Sequence, residues 1–197
     1  MATANDNITL FLIGDSTCAN KSAEESPEMG WGAILYTYFN STIKIDNHAV
    51  NGQSSKSFIN EGRWNKVLDR IKQGDYVFIQ FGHNDASVRH ADKRTEPEID
   101  FRNNLVKYIE MTRSKGAHPI LLTSISNRNF NAEGKIESTL TAYTNVTRDV
   151  ARQYGVPLID MEIKTASLLD KLGPEDSKKL YMWVSKSDFP YLQSDKQ

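Results

Sequence analysis

The chain has 197 residues, of which 39% are hydrophobic and 25% charged, with a formal net charge of -1. That size fits one globular domain spanning residues 1–197, and the near-neutral charge gives no electrostatic case for nucleic acid or an anionic membrane as partner. No apolar run approaches the roughly 20 residues that span a bilayer, and a lone cysteine, Cys18, excludes an intrachain disulfide and a thiolate metal site.

The first seven residues are polar and lack the apolar centre of a signal peptide. Residues 8–13, ITLFLI, read as a buried strand that ends in Gly14-Asp15-Ser16-Thr17. A polar loop from Asn20 to Glu28 leads to an apolar segment, residues 31–39, long enough for a helix. Residues 43–46 alternate as a short edge strand does, and residues 63–73 carry Trp64, Val67, Leu68 and Ile71 at helical spacing. Residues 76–81, YVFIQF, form the next strand and end in Gly82-His83-Asn84-Asp85. Helices are predicted over 98–115 and 137–154, closed by Gly116 and Gly155. Strands are predicted over 119–123 and 156–160, and helical turns over 162–182. The tail from Ser185 to Gln197 is polar and unpatterned, like a chain that stops inside a loop. Strands alternating with helices argue for an α/β fold whose parallel sheet is covered on both faces.

Polar residues that follow parallel strands gather at one edge of the sheet, where ligands of open α/β sheets bind. Ser16 offers a hydroxyl there. A serine at a strand-to-helix turn sits near the positive end of a helix dipole, which suits attack on a carbonyl. It also suits a plain helix cap. Gly52, in Asn51-Gly52-Gln53-Ser54, offers an N–H with no side chain in the way. Asn84 offers two amide donors. Acyl transfer builds charge on a carbonyl oxygen, and a fixed donor there is worth about 2.7–4 kcal/mol. Taken singly, each residue has an ordinary loop explanation. Three at consecutive strand ends suggest a site. No group of His or carboxylate residues shows metal-ligand spacing, so neither metal nor other cofactor is expected.

The three blocks Gly14-Asp15-Ser16-Thr17, Asn51-Gly52-Gln53-Ser54 and Gly82-His83-Asn84-Asp85 resemble those of the GDSL/SGNH hydrolase superfamily. Gly30-Trp31-Gly32, Lys56-Ser57-Phe58 and Glu61-Gly62-Arg63-Trp64 resemble its rhamnogalacturonan acetylesterase-like branch. The resemblance implies a flavodoxin-like three-layer α/β/α sandwich with five parallel strands in the order 2-1-3-4-5. It implies a serine esterase that removes acetyl groups from a pectic or related polysaccharide and is secreted or periplasmic, while the polar N-terminus leaves a cytoplasmic location open. Ser16 would be the nucleophile. Its own N–H, the Gly52 N–H and the Asn84 side chain would hold the oxyanion. Asp15 would brace the turn, and Trp31 and His83 would lie on the substrate side. Two other readings remain: a lysophospholipase or thioesterase of the same superfamily, and a carbohydrate-binding protein without catalysis.

The superfamily's last block, Asp-x-x-His, supplies the general base, and it is missing here. The four histidines are His48, His83, His90 and His118, none of them in that context. The sequence therefore suggests a chain shortened at its C-terminus and impaired in catalysis. Such a chain would pair with a second copy or be complemented by a separate C-terminal segment.

Overall fold

In a computed structural model, residues 8–190 and 192 are described. The expectations for the polar leader, residues 1–7, and for the end of the tail, residues 193–197, lie outside them. Five parallel strands form one sheet: β1 (Ile8–Gly14), β2 (Ile43–Asn47), β3 (Tyr76–Gln80), β4 (His118–Leu122) and β5 (Leu158–Ile159). Their order is β2-β1-β3-β4-β5. The sequence places each strand to within two residues, because four are short apolar runs bounded by polar or glycine punctuation and β2 alternates as an edge strand does.

Successive side chains of a strand point to opposite faces, and β1 uses both. Leu10 and Leu12 join Ala49, Cys18 and Phe78 on one face, covered by Trp31 and Leu35. Phe11 and Ile13 join the larger core on the other face. That core is covered by α1 (Ser55–Asn60), α2 (Arg63–Leu68), α3 (Arg102–Ser114) and α4 (Thr141–Gln153). Phe81 stacks on Tyr108 of α3 at 5.5 Å, and Trp64 of α2 meets the same ring edge-on at 5.0 Å. Burying each such side chain contributes about 1.5–3 kcal/mol. A final helix, α5 (Met161–Asp176), is kinked at Gly173 and runs into a 3-10 turn, Ser177–Leu180. No helix among the described residues is long and apolar enough to cross a membrane.

Two expectations are corrected. The apolar segment 31–39 is not one helix but two short 3-10 helices, Trp31–Ala33 and Leu35–Tyr38. The cause is close backbone packing. A Cβ at Gly30 would stand 2.2 Å from the Ala19 carbonyl oxygen, and one at Gly32 would stand 2.4 Å from that of Cys18. The segment is pressed flat on the turn that follows β1, which leaves no room for a full helix. The second correction is an addition. Helix α1 follows the Gly52 loop directly, where the sequence predicts no helix. It has six residues and a capping box between Ser54 and Ser57, too short for apolar periodicity to show.

In the order 2-1-3-4-5, β1 and β3 are neighbours from which the chain departs to opposite sides. Such a switch point opens a crevice beyond the C-terminal ends of the strands. Ser16 follows β1 and Asn84 follows β3, so the topology delivers both to that crevice.

Candidate active site

The Ser16 turn is held from below by a chain of partly buried hydrogen bonds. The Asp15 carbonyl accepts from the N–H groups of Cys18 (3.2 Å) and Ala19 (3.1 Å), closing one tight turn. The fully buried Asp15 side chain accepts through Oδ1 from the Thr17 N–H (2.9 Å) and hydroxyl (2.7 Å). Gln80, the last residue of β3, donates from Nε2 to the Thr17 hydroxyl at 2.8 Å. Its Oε1 accepts from the Trp31 indole at 2.7 Å. Ser16 rides on this network half-buried, and no described residue hydrogen-bonds its hydroxyl.

The expected helix dipole is absent. The turn after Ser16 leads into the loop toward the 3-10 segment and not into an α-helix, so no macrodipole supports the serine. Any activation must come from side chains and backbone N–H groups. Asp15 Oδ1 spans the turn through its two bonds from Thr17. Trp31 is half-buried, with its indole N–H committed to Gln80, so only its ring face is left for a ligand.

The Gly52 loop follows β2. It stays beside β1 through hydrogen bonds from the His48 N–H to the Leu12 carbonyl (2.8 Å) and from the Val50 N–H to the Gly14 carbonyl (3.1 Å). Gly52 has φ of 73°, a left-handed conformation that glycine adopts without strain. Lys21 pins the loop from one side, donating to Asn51 Oδ1 at 2.6 Å while paired with Glu28 at 2.6 Å.

Asn84 lies in the turn after β3 and donates from Nδ2 to the Gln53 carbonyl at 3.0 Å. This bond joins the second and third loops directly. A carboxamide has two N–H groups, so one fixes the side chain and the other is left for a ligand. Asp85, next in sequence, is fully buried and ties three segments together. It accepts from the N–H and hydroxyl of Ser55 (3.0 and 2.6 Å) and from the Thr95 hydroxyl (3.0 Å). Burial pushes its carboxyl up to about 6, against the pull of the Ser55 and Thr95 hydrogen bonds.

The remaining candidates separate cleanly. Cys18 is buried, and burial, followed by the nearby Asp15 charge, pushes its thiol up, so it is inert packing. His118 opens β4 at the opposite edge of the sheet, its ring tilted 34° to that of Tyr76 with centroids 4.8 Å apart. His48 lies 3.1 Å from Asp46, whose other oxygen meets Arg70. His90 is an exposed loop residue. His83 is half-buried beside Asn84, and its Nε2 has no hydrogen-bond partner among the described residues. A cleft of about 440 Å³ opens beside Ser16, walled by Met29, Ile125, Tyr181, Met182 and Phe189 among others. Among the described residues no group of His, Cys, Asp and Glu is arranged to hold a metal ion.

The profile of the GDSL-like Lipase/Acylhydrolase family matches residues 12–186, a span that contains all three loops. The chain belongs to this family. It is 39% identical over 183 residues to the rhamnogalacturonan acetylesterase RhgT of Bacillus subtilis, covering 93% of this chain and 77% of that one. The crystal structure of YxiM from Bacillus subtilis superposes with a TM-score of 0.80 at 32% identity, over 89% of this chain and 49% of that one. Axe2, an acetylxylan esterase of Geobacillus stearothermophilus, shares the fold with a TM-score of 0.65 at 20% identity, over 85% of this chain and 82% of that one. The family is one of carboxylic ester hydrolases, which fits a half-buried serine at the sheet edge whose hydroxyl no described residue hydrogen-bonds.

Sequence reasoning missed Gln80 and undervalued Asp85. Gln80 is a lone polar residue inside an apolar strand run, and that was its signal. Asp85 closes the third motif block, but nothing in the sequence tells that it caps α1 and anchors Thr95.

Proposed function

We propose that this chain deacetylates an acetylated polysaccharide of the pectic type through an acyl-serine intermediate on Ser16. The observation that carries the reading is the Asn84 Nδ2 bond to the Gln53 carbonyl, 3.0 Å, which locks the loops after β2 and β3 to each other beside the turn after β1. Ser16 Oγ attacks the acetyl carbonyl carbon, and the carbonyl oxygen takes up the negative charge. The N–H groups of Ser16 and Gly52 and the second Nδ2 hydrogen of Asn84 receive that oxyanion. Collapse expels the sugar oxygen, which takes up the proton removed from Ser16, and leaves acetyl-Ser16, which water then hydrolyses to acetate and free serine. The serine proton needs a base, and among the four histidines His83, next to Asn84 in sequence and with Nε2 unbonded among the described residues, is the candidate. The similarity to RhgT supports a pectic substrate. A polymer that cannot enter a cell places the reaction outside the cytoplasm.

The apolar cleft wall of Met29, Ile125 and Phe189 favours one competing reading, a longer acyl chain. One experiment separates the two. A chain extended by an Asp-x-x-His segment is assayed on acetylated pectin, p-nitrophenyl acetate and long-chain p-nitrophenyl esters, beside its Ser16→Ala variant. Acetate release that vanishes with Ser16 supports the proposal. Preference for long chains supports the competitor. Unchanged turnover in Ser16→Ala refutes both.

A further inference from the structure

Two lysines flank the Gly52 loop, and they differ in one respect. Lys21 is spent on Asn51 and Glu28. The ammonium of Lys93 makes no hydrogen bond or ion pair among the described residues, yet it is half-buried and hangs over Gly52. A Cβ at position 52 would stand 3.1 Å from Lys93 Nζ, so the missing side chain is what admits the cation there. Its place is fixed through the backbone. Lys93 donates its N–H to the His90 carbonyl at 3.0 Å, and two residues on, Thr95 is anchored to Asp85, the same carboxylate that holds Ser55 after the Gly52 loop. The field of Lys93 reaches Glu61, but that carboxylate is already engaged by Arg63 at 2.8 Å and Gln53 at 3.0 Å.

We propose that Lys93 is a specificity-determining residue that receives the carboxylate of a uronic acid next to the acetylated sugar. This rests on the proposed site at Ser16, Gly52 and Asn84 and adds a substrate class to it. A partly desolvated ammonium lacks hydrogen-bond acceptors that water would supply. A carboxylate in the ligand restores them with a charge-assisted bond. A neutral polymer such as xylan offers only hydroxyls at the same place. Lys93 therefore favours an acidic backbone over a neutral one, which is also where a rhamnogalacturonan and a xylan differ.

The test measures binding, so it does not depend on turnover. The 197-residue chain is titrated calorimetrically with trigalacturonate and with xylotriose at low salt. The parent chain should prefer trigalacturonate, and the preference should shrink as salt rises. Lys93→Met, which keeps the apolar stem, should weaken trigalacturonate about tenfold, in the range of one charged hydrogen bond, and leave xylotriose unchanged. Lys93→Arg should retain most of the preference. Equal binding of the two sugars by the parent chain overturns the proposal, as does equal loss of both in Lys93→Met. A failure of the esterase reading appears in hydrolysis assays, and a failure of this one appears in the titrations.

Discussion

The Asp85 carboxylate accepts from Ser55 and Thr95 in a fully buried setting, and its pKa of about 6 lies above the ordinary 3.8. Between those values the folded chain holds a proton that the unfolded chain has already released. The contribution of this group to stability is therefore greatest below about pH 4 and falls as pH rises through 6. Urea unfolding of the parent and Asp85→Asn at pH 4.5, 5.5 and 7 should show a difference between them that changes across this window, and a constant difference contradicts the assignment. Ser16 and Asn84 make the residue-scale prediction for catalysis. In a chain that carries a base, Asn84→Ala should lower kcat about 10²–10³-fold, the usual loss for one oxyanion donor, while circular dichroism stays unchanged. The positions of these residues are legible in the sequence because each follows an apolar strand run. Gln80 and Lys93 are not, since their roles depend on partners 63 and 41 residues away, Thr17 and Gly52, which only the folded chain brings near.

Helix α1 joins the site to the core. Its first residue, Ser55, is held on its N–H side by Asp85 and on its carbonyl side by the Tyr108 hydroxyl at 2.7 Å. Asn104 Nδ2 adds a bond to the Ser55 hydroxyl at 3.0 Å. Both partners come from α3, so the long helix positions the short one. Tyr108→Phe would keep the ring stacked on Phe81 and leave the buried Ser55 carbonyl without that donor. The expected loss is about 1–3 kcal/mol, read from chemical denaturation with an unchanged m-value. A loss near zero would mean that α1 is not anchored from α3. Helices α3 and α4 are legible because their apolar residues recur over three or more turns. The 31–39 segment misleads for the opposite reason: its apolar content is high, but Tyr36 and Tyr38 face solvent and Gly30 and Gly32 pack against the Cys18–Ala19 backbone. Composition cannot reveal a backbone contact of that kind.

At the scale of the whole molecule, the sheet order follows from short parallel strands and crossover connections, and it is what gathers loops from three separate stretches of chain. The same topology disperses the histidines. His118 stands at the far edge of the sheet, His48 is placed beside Asp46, and His90 is exposed. Only His83 lies beside Asn84, and no described residue hydrogen-bonds the Ser16 hydroxyl. A polypeptide of these 197 residues should therefore be a poor esterase with a well-formed site. A serine hydroxyl is a weak nucleophile at neutral pH unless an adjacent group takes its proton. In subtilisin, loss of the triad histidine costs on the order of 10⁶ in kcat, while binding and the oxyanion hole still leave roughly 10³–10⁴ over water. The same arithmetic predicts slow hydrolysis of p-nitrophenyl acetate, and a large gain when a segment bearing Asp-x-x-His is supplied in cis or as a separate peptide. Supplied separately, such a segment would have to reach the cleft beside Ser16, whose wall includes Tyr181 and Phe189 from the C-terminal part of the chain. Mass spectrometry of the assayed sample shows whether a base has co-purified. Fast turnover by the intact 197-residue chain alone, abolished by His83→Ala, would overturn this prediction and make His83 the base.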